Sequence, residues 1–316
     1  MKLRRDLRRA AHIALKRSLG FKPEEKLVII TDLPCQEIGQ AFFQEATRIG
    51  PHVILIEIIP PKEHSLEPPP IIRTILKDCD LFIIPTSKSL THTKARRDAC
   101  LYGARGITLP GITSDVFIRT IPIDYVRLAR TTMKLAEILT RTRVAQIKTN
   151  LGTDLELDLN HRTGHADTGM AQHPGSFSNL PAGEAYIAPI SAKGVLVIDG
   201  SIASIGRLKR PIVVTVKDGR AQKIEGDNRR LQKILFSFGP SALTLGEFGI
   251  GTNQKARITG NILEDEKALG TVHIGFGDNI GFGGDNAAEV HIDCLIQKPN
   301  LVIDGKTIMT DGNIII

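Results

Sequence analysis

The first 143 residues alternate between two kinds of segment. The short apolar runs KLVIITD, HVILIEII, DLFIIPTS and ARGITLPG are separated by EIGQAFFQEATRIG, PIIRTILKDC and THTKARRDACLYG, which have helical periodicity. A near-continuous apolar strand must be covered on both faces, and a helix between successive strands makes their pairing parallel. The alternation therefore predicts an α/β domain, a mostly parallel sheet with helices on both faces. Ligands on such sheets collect beyond the carboxyl ends of the strands. Here those ends read TDLPC, PTSKS and LPGIT, with no glycine fingerprint for a dinucleotide, so this half reads as scaffold or substrate wall. A longer helix, from about Asp124 to Thr142, closes it.

The pattern changes near Val144. AQIKTN and DLELDLN alternate apolar and polar residues around a turn at Leu151-Gly152-Thr153, and GVLVIDGSIAS, PIVVTVKDGRAQKIEG, TVHIGFG, EVHIDCLIQ and LVIDGKTIM follow. Asp-Gly pairs at Asp199, Asp218, Asp304 and Asp311 are hairpin signals. The expectation is a C-terminal β-rich α+β domain over 144–316, after an N-terminal domain over 1–143. NRRLQKILFSF is its helix, and EDEKALG a short helical turn.

Charge is unevenly placed. The chain carries +7 overall, and the first 20 residues hold seven basic side chains against Asp6 alone, which is +6. The remainder is nearly neutral, so the protein as a whole is not a nucleic-acid binder. Leu3, Leu7, Ala10, Ala11, Ile13, Ala14 and Leu15 give the basic N-terminal helix an apolar stripe. Two readings stay open: a helix packed on its own domain, or one that contacts RNA, membrane or a partner. The four cysteines are scattered, without zinc or redox spacing, and read as free thiols of a cytoplasmic protein. No apolar run reaches the ~20 residues of a membrane span.

The chemistry concentrates in TVHIGFGDNIGFGGDNAAEVHID, Thr271 to Asp293. Strand residues i and i+2 share a face, so His291 and Asp293 project together. His273 lies on the preceding strand, and the glycine-rich loop lets the two strands pair. The plain alternative is a hairpin with polar decoration. Burying a carboxylate costs several kcal/mol unless it is paired or bound to metal, which favours a metal site. Glu184 in NLPAGEAY and Glu247 in LTLGEFGIGTN are single acids in apolar or glycine-rich settings. They read as further ligands, or as turn acids capping backbone amides. Glu264-Asp265-Glu266-Lys267 reads as a solvated helix turn, and Lys94, Arg96 and Arg97 as a solvated helix face. His161 and His165 in HRTGH have a helical metal spacing, but Gly164 intervenes and the glutamate of a zincin is missing. GFGDNIGFGG lacks the Lys-Ser/Thr of a P-loop.

GTDLELDLN, SFSNLPAGEAYIAP, GEFGIGTN, EDEKALGTVHIGFGDN, FGG and VHID, in that order between Gly152 and Gly312, resemble the thermophilic aminopeptidase family of metallopeptidases, aminopeptidase T and its leucyl aminopeptidase-like relatives. The resemblance implies a two-metal hydrolase acting on small peptides as a homodimer. Its two divalent ions, of the zinc, cobalt or manganese class, would lie roughly 3.5–4 Å apart. Glu184, Glu247, His273, His291 and Asp293 match the ligand positions, with Glu247 bridging the ions or acting as general base toward water. Ile280 stands where well-known members carry a tyrosine, and Asn279 beside it could donate to an oxyanion. A ring-cleaving dioxygenase acting on a dihydroxypyridine resembles the same family. It would use His273, His291 and Asp293 around one ferrous iron. The third reading is a non-enzymatic binding protein recruited through the basic helix.

Overall fold

Leu27–Asp32 is buried along its whole length, as a continuous apolar run requires. It pairs in parallel with Val53–Ile58 on one side and Leu81–Ile84 on the other. Arg105–Thr108 and Phe177–Asn179 extend the sheet, both in parallel. The computed structural model describes residues 4–226 and 229–316; Lys2, Leu3 and Asn228 lie outside the described residues. It contains two units, Met1–Ala129 with Asp167–Ala182, and Arg130–Ala166 with Gly183–Ile316.

In the first unit, Val28, Ile30, Phe82 and Ile84 meet Ile72 and Leu76 of helix Pro70–Lys77 and Ala95 and Ala99 of helix Lys94–Leu101. Helix Gln36–Ala46 covers the opposite face. There Gly39 packs so closely that an added Cβ would lie 2.7 Å from that of Thr31. The helix Arg5–Ile13, continued by a π-helical turn Ala14–Ser18, buries Leu7, Ala10, Ala11, Ala14 and Leu15 completely. Arg8 pairs with Glu45 at 2.7 Å. The N-terminal helix is thus packed within its own unit, with its other basic residues outward. Arg96 is not on a solvated face. Its guanidinium lies 4.3 Å from the Phe177 ring centroid, and its Nε donates to the Thr91 carbonyl.

The second unit is two antiparallel-rich sheets around one core. Eight strands run in the order Arg220–Glu225, Ile212–Lys217, Ser191–Ile198, Asp154–Asp158, Val144–Lys148, Asn300–Ile303, Lys306–Thr310 and Asn313–Ile314. Seven run in the order Gly206–Arg207, Ser201–Ile202, His291–Ile296, Val272–Gly277, Leu245–Gly251, Glu184–Ile187 and His165–Asp167. Ile147, Leu155, Leu157 and Leu196 of the first sheet share a core with Ile187, Phe248, Ile274 and Cys294 of the second. Leu135 and Leu139 of helix Tyr125–Arg141 and Leu231 and Leu235 of helix Arg230–Ser237 join it. Asp218-Gly219, Asp304-Gly305 and Asp311-Gly312 have positive φ at both residues, the geometry of tight hairpin turns. Asp199-Gly200 does not form a hairpin. It carries the chain from one sheet to the other, with the Asp199 carboxylate accepting from the Gln297 amide at 2.8 Å.

Candidate metal centre

Strand alternation decides which side chains form the site. On Val272–Gly277, Val272, Ile274 and Phe276 enter the core, which leaves His273, Gly275 and Gly277 on the opposite face. On His291–Ile296, Ile292, Cys294 and Ile296 enter the core, so His291 and Asp293 share that opposite face. On Leu245–Gly251 a register shift lies between Leu245 and Glu247. This bulge lets Leu245 and Phe248 both reach the core while Glu247 joins the polar face. Glu184 opens its strand opposite Gly251. All five expected residues therefore come to one face of four adjacent strands.

Glycines make room for them. Gly249 lies opposite His273, and an added Cβ there would stand 2.1 Å from both Cε1 and Nε2 of the imidazole. A Cβ on Gly275 would stand 2.6 Å from His291 Nε2 and 2.9 Å from the Glu247 Cβ. Both rings lie across backbone that carries no side chain.

The donors form two overlapping groups whose atoms lie within 4.8 Å of one another: Glu184, Glu247 and His273, and Glu247, His291 and Asp293. Glu247 links them. Its Oε1 is 3.2 Å from His273 Nε2 and its Oε2 is 3.0 Å from His291 Nε2. Asp293 Oδ1 is also 3.0 Å from His291 Nε2, and Glu184 Oε2 is 3.5 Å from His273 Nε2. His291 Nδ1 lies 2.7 Å from the Asp278 carbonyl, which sets the ring so that Nε2 faces the carboxylates. Exposure is graded: the His273 side chain is 1 % exposed and that of His291 27 %.

Burial opposes the charging of His273. Its hydrogen bond with Glu247 and the charges of Glu184, Glu247 and Glu266 outweigh that and raise it to about 9. His291 is raised well above its ordinary value in the same way, chiefly by Asp293. Burial pushes Glu184 up to about 8 even beside the Lys267 ammonium. Burial acts on Glu247 too, but hydrogen bonds from both imidazoles hold it below the usual carboxylate range. Glu184 Oε2 and His273 Nδ1 are buried without a hydrogen-bond partner. Buried carboxylates and imidazole nitrogens converging with an orphaned oxygen among them are a donor set that fits a divalent cation.

Several neighbours differ from expectation. Glu264, Asp265 and Lys267 are buried, not a solvated turn. Glu264 and Asp265 accept backbone N–H groups of Arg257, Thr259 and Gly260 at 2.7–2.8 Å. Lys267 Nζ donates to Glu184 and, at 2.6 Å, to Glu266. Asn279 is tied to backbone: Nδ2 donates to the Gly246 carbonyl and Oδ1 accepts from the Asn286 amide. Ile280 is half exposed in the turn Ile280–Phe282. An aromatic wall escaped the sequence reading. Phe282 meets His291 edge-on at 5.9 Å and Tyr186 at 5.5 Å, and His165 stacks on Tyr186 at 5.4 Å. His161 sits in an exposed turn and pairs with no metal group among the described residues.

Comparison with known proteins places this centre in context. The profile of a family described as NicX, 2,5-dihydroxypyridine 5,6-dioxygenase, matches residues 14–316. A curated 2,5-dihydroxypyridine 5,6-dioxygenase of Pseudomonas putida is 21 % identical over 250 residues, spanning 74 % of this chain and 71 % of the relative. The solved 2,5-dihydroxypyridine dioxygenase of Pseudomonas putida KT2440 superposes with a TM-score of 0.84 at 18 % identity, covering 98 % of this chain and 96 % of that one. Wild-type AmpT from Thermus thermophilus superposes with a TM-score of 0.75 at 17 % identity, covering 99 % of both. Both structural likenesses are of fold alone.

These matches overturn the aminopeptidase resemblance, and with it the reading as a metalloprotease or other hydrolase of small peptides with Glu247 as general base. The quoted blocks misled for a physical reason. GEFGIG, TVHIGFG and VHID are the strands, glycine floor and donors of the sheet, and they report the scaffold rather than the reaction. The match across nearly the whole length, with every donor inside it, shows that the chain belongs to the 2,5-dihydroxypyridine 5,6-dioxygenase (NicX) family.

Proposed function

We propose that this protein is a metal-dependent, ring-cleaving dioxygenase acting on 2,5-dihydroxypyridine or a close analogue. The observation that carries the reading is the family match over residues 14–316, which contains all five donor residues. His273, His291 and Asp293 would hold one ferrous iron, with Glu247 between the two imidazoles. Bound there, ferrous iron supplies the one-electron chemistry that lets dioxygen react with an electron-rich ring. The chain does the rest. The Asp278 carbonyl orients His291, Glu247 faces both rings, and burial of His273 and Glu247 keeps bulk water from the inner side. Access is from the His291 and Asp293 side, where Phe282 and Tyr186 offer apolar edges to a planar ring. No helix among the described residues is long and apolar enough to cross a membrane. With four free cysteines, three of them buried, a reducing cytoplasm is the compartment that suits it.

The test is oxygen uptake by ferrous-loaded protein given 2,5-dihydroxypyridine, followed by loss of the ring absorbance. Stoichiometric uptake is the expected result. No uptake with iron, together with release of amine from aminoacyl amides by zinc-loaded protein, would sink the reading.

A further inference from the structure

The centre has donor groups for two ions, yet the proposed reaction uses one. We propose that Lys267 sets the metal count at one, its ammonium taking the counter-charge position that a second divalent ion would occupy at Glu184. This inference rests on the reading of the site as a one-iron centre.

Glu184, Glu247 and His273 make one group of donors, and Glu247, His291 and Asp293 the other, sharing Glu247. A shared carboxylate between two donor groups is what a dinuclear site needs, with its ions roughly 3.5–4 Å apart. Lys267 lies on the inner side of this arrangement. Its ammonium donates to Glu184 Oε1, the oxygen next to the orphaned Oε2, and to Glu266 Oε1 at 2.6 Å. The lysine side chain is only 2 % exposed, so solvent cannot draw its head group away. Glu264 and Asp265, fixed by backbone amides of the preceding loop, hold the turn that delivers it. An ammonium that is fixed, dry and bonded to Glu184 repels a dication seeking the same carboxylate, with little water to screen it. The outer group has no lysine on its carboxylates among the described contacts. One ion therefore enters on the His291 and Asp293 side, where Glu247 lies between the His291 imidazole and that of His273.

Removing the ammonium while keeping an unbranched side chain only one atom shorter should open the second position. The probe is manganous ion, with ions per chain counted by equilibrium dialysis and elemental analysis. Wild type is expected to hold one, Lys267→Met two, and the double variant Lys267→Met/Glu184→Gln one again. Lys267→Arg, which keeps the charge, should hold one. Two ions on wild type, or one on folded Lys267→Met, overturns the inference. If Lys267→Met does not fold by circular dichroism, Lys267→Gln and the wild-type count decide. Oxygen uptake by the same wild-type preparation separates the two failures. Uptake with an unchanged count in Lys267→Met sinks the inference alone, whereas no uptake with iron sinks the dioxygenase reading.

Discussion

Gly249→Ala adds a single methyl group in the middle of a strand, on the face that carries the donors. The new Cβ would stand 2.1 Å from two atoms of the His273 ring, and ordinary contact begins at 3.4 Å, so the ring must retreat by about 1.3 Å. The φ of Gly249 is not in the left-handed region, so alanine brings no backbone strain. Glycine inside a strand is itself unfavourable by roughly 0.5–1 kcal/mol relative to alanine, which offsets part of an overpacking cost of about 1–3 kcal/mol. Stability should then fall by no more than about 2.5 kcal/mol. Misplacing a reacting group by about 1 Å costs on the order of 10²-fold in rate. The variant should thus fold, melt within several degrees of wild type, and lose ~10²-fold in turnover and metal affinity together. The assay is oxygen uptake with 2,5-dihydroxypyridine beside a ferrous-ion titration. Gly281→Ala is the control, since its Cβ would meet nothing within 4 Å. Wild-type affinity and turnover in Gly249→Ala would refute the placement of His273 over Gly249.

Two further outcomes are expected. Glu247→Gln keeps the shape of the residue that both imidazoles face at 3.2 and 3.0 Å, and it should weaken metal binding by roughly 10–100-fold, read by the same titration. Asp98 is held at about 2 by hydrogen bonds from Lys94 and Arg73. A depressed carboxylate stabilises the fold above its unfolded value, near 3.9, and that contribution disappears as pH falls toward 2. Asp98→Asn should therefore be less stable at neutral pH, with a flatter loss between about pH 4 and 2; parallel denaturation curves across that window would contradict the assignment.

Much of this was legible in the residues. LVIITD, VILIEI and LFII are too apolar for a one-sided sheet, and with RGIT they are neighbours in a parallel one. His291 and Asp293 share a face because strand periodicity allows nothing else. Phe177–Asn179 was not legible as a parallel strand, because three residues carry no periodicity. That Gly249 and Gly275 make room for imidazole rings was not legible, because nothing in the residues says which rings lie across them. Lys267 was lost in a charge run in which Glu264 and Asp265 turned out to be buried caps. The reaction class was hidden because the 2,5-dihydroxypyridine dioxygenase structure and AmpT share the same fold with this chain.

The five donors come from four neighbouring strands, and Glu184 and Asp293 are more than a hundred residues apart in the chain. Only His291 and Asp293 are local to one another, and two ligands hold a cation weakly. The loops that bring in Glu184, Glu247 and His273 must close before a cation meets a complete set, and long-range closure is the slow part of building a sheet. A cation bound there as proposed would be a late arrival, captured by the core between the two sheets to which Ile147, Phe248 and Ile274 belong. On that reading the scaffold folds first and loads afterwards, unlike small zinc domains that collapse around their ion.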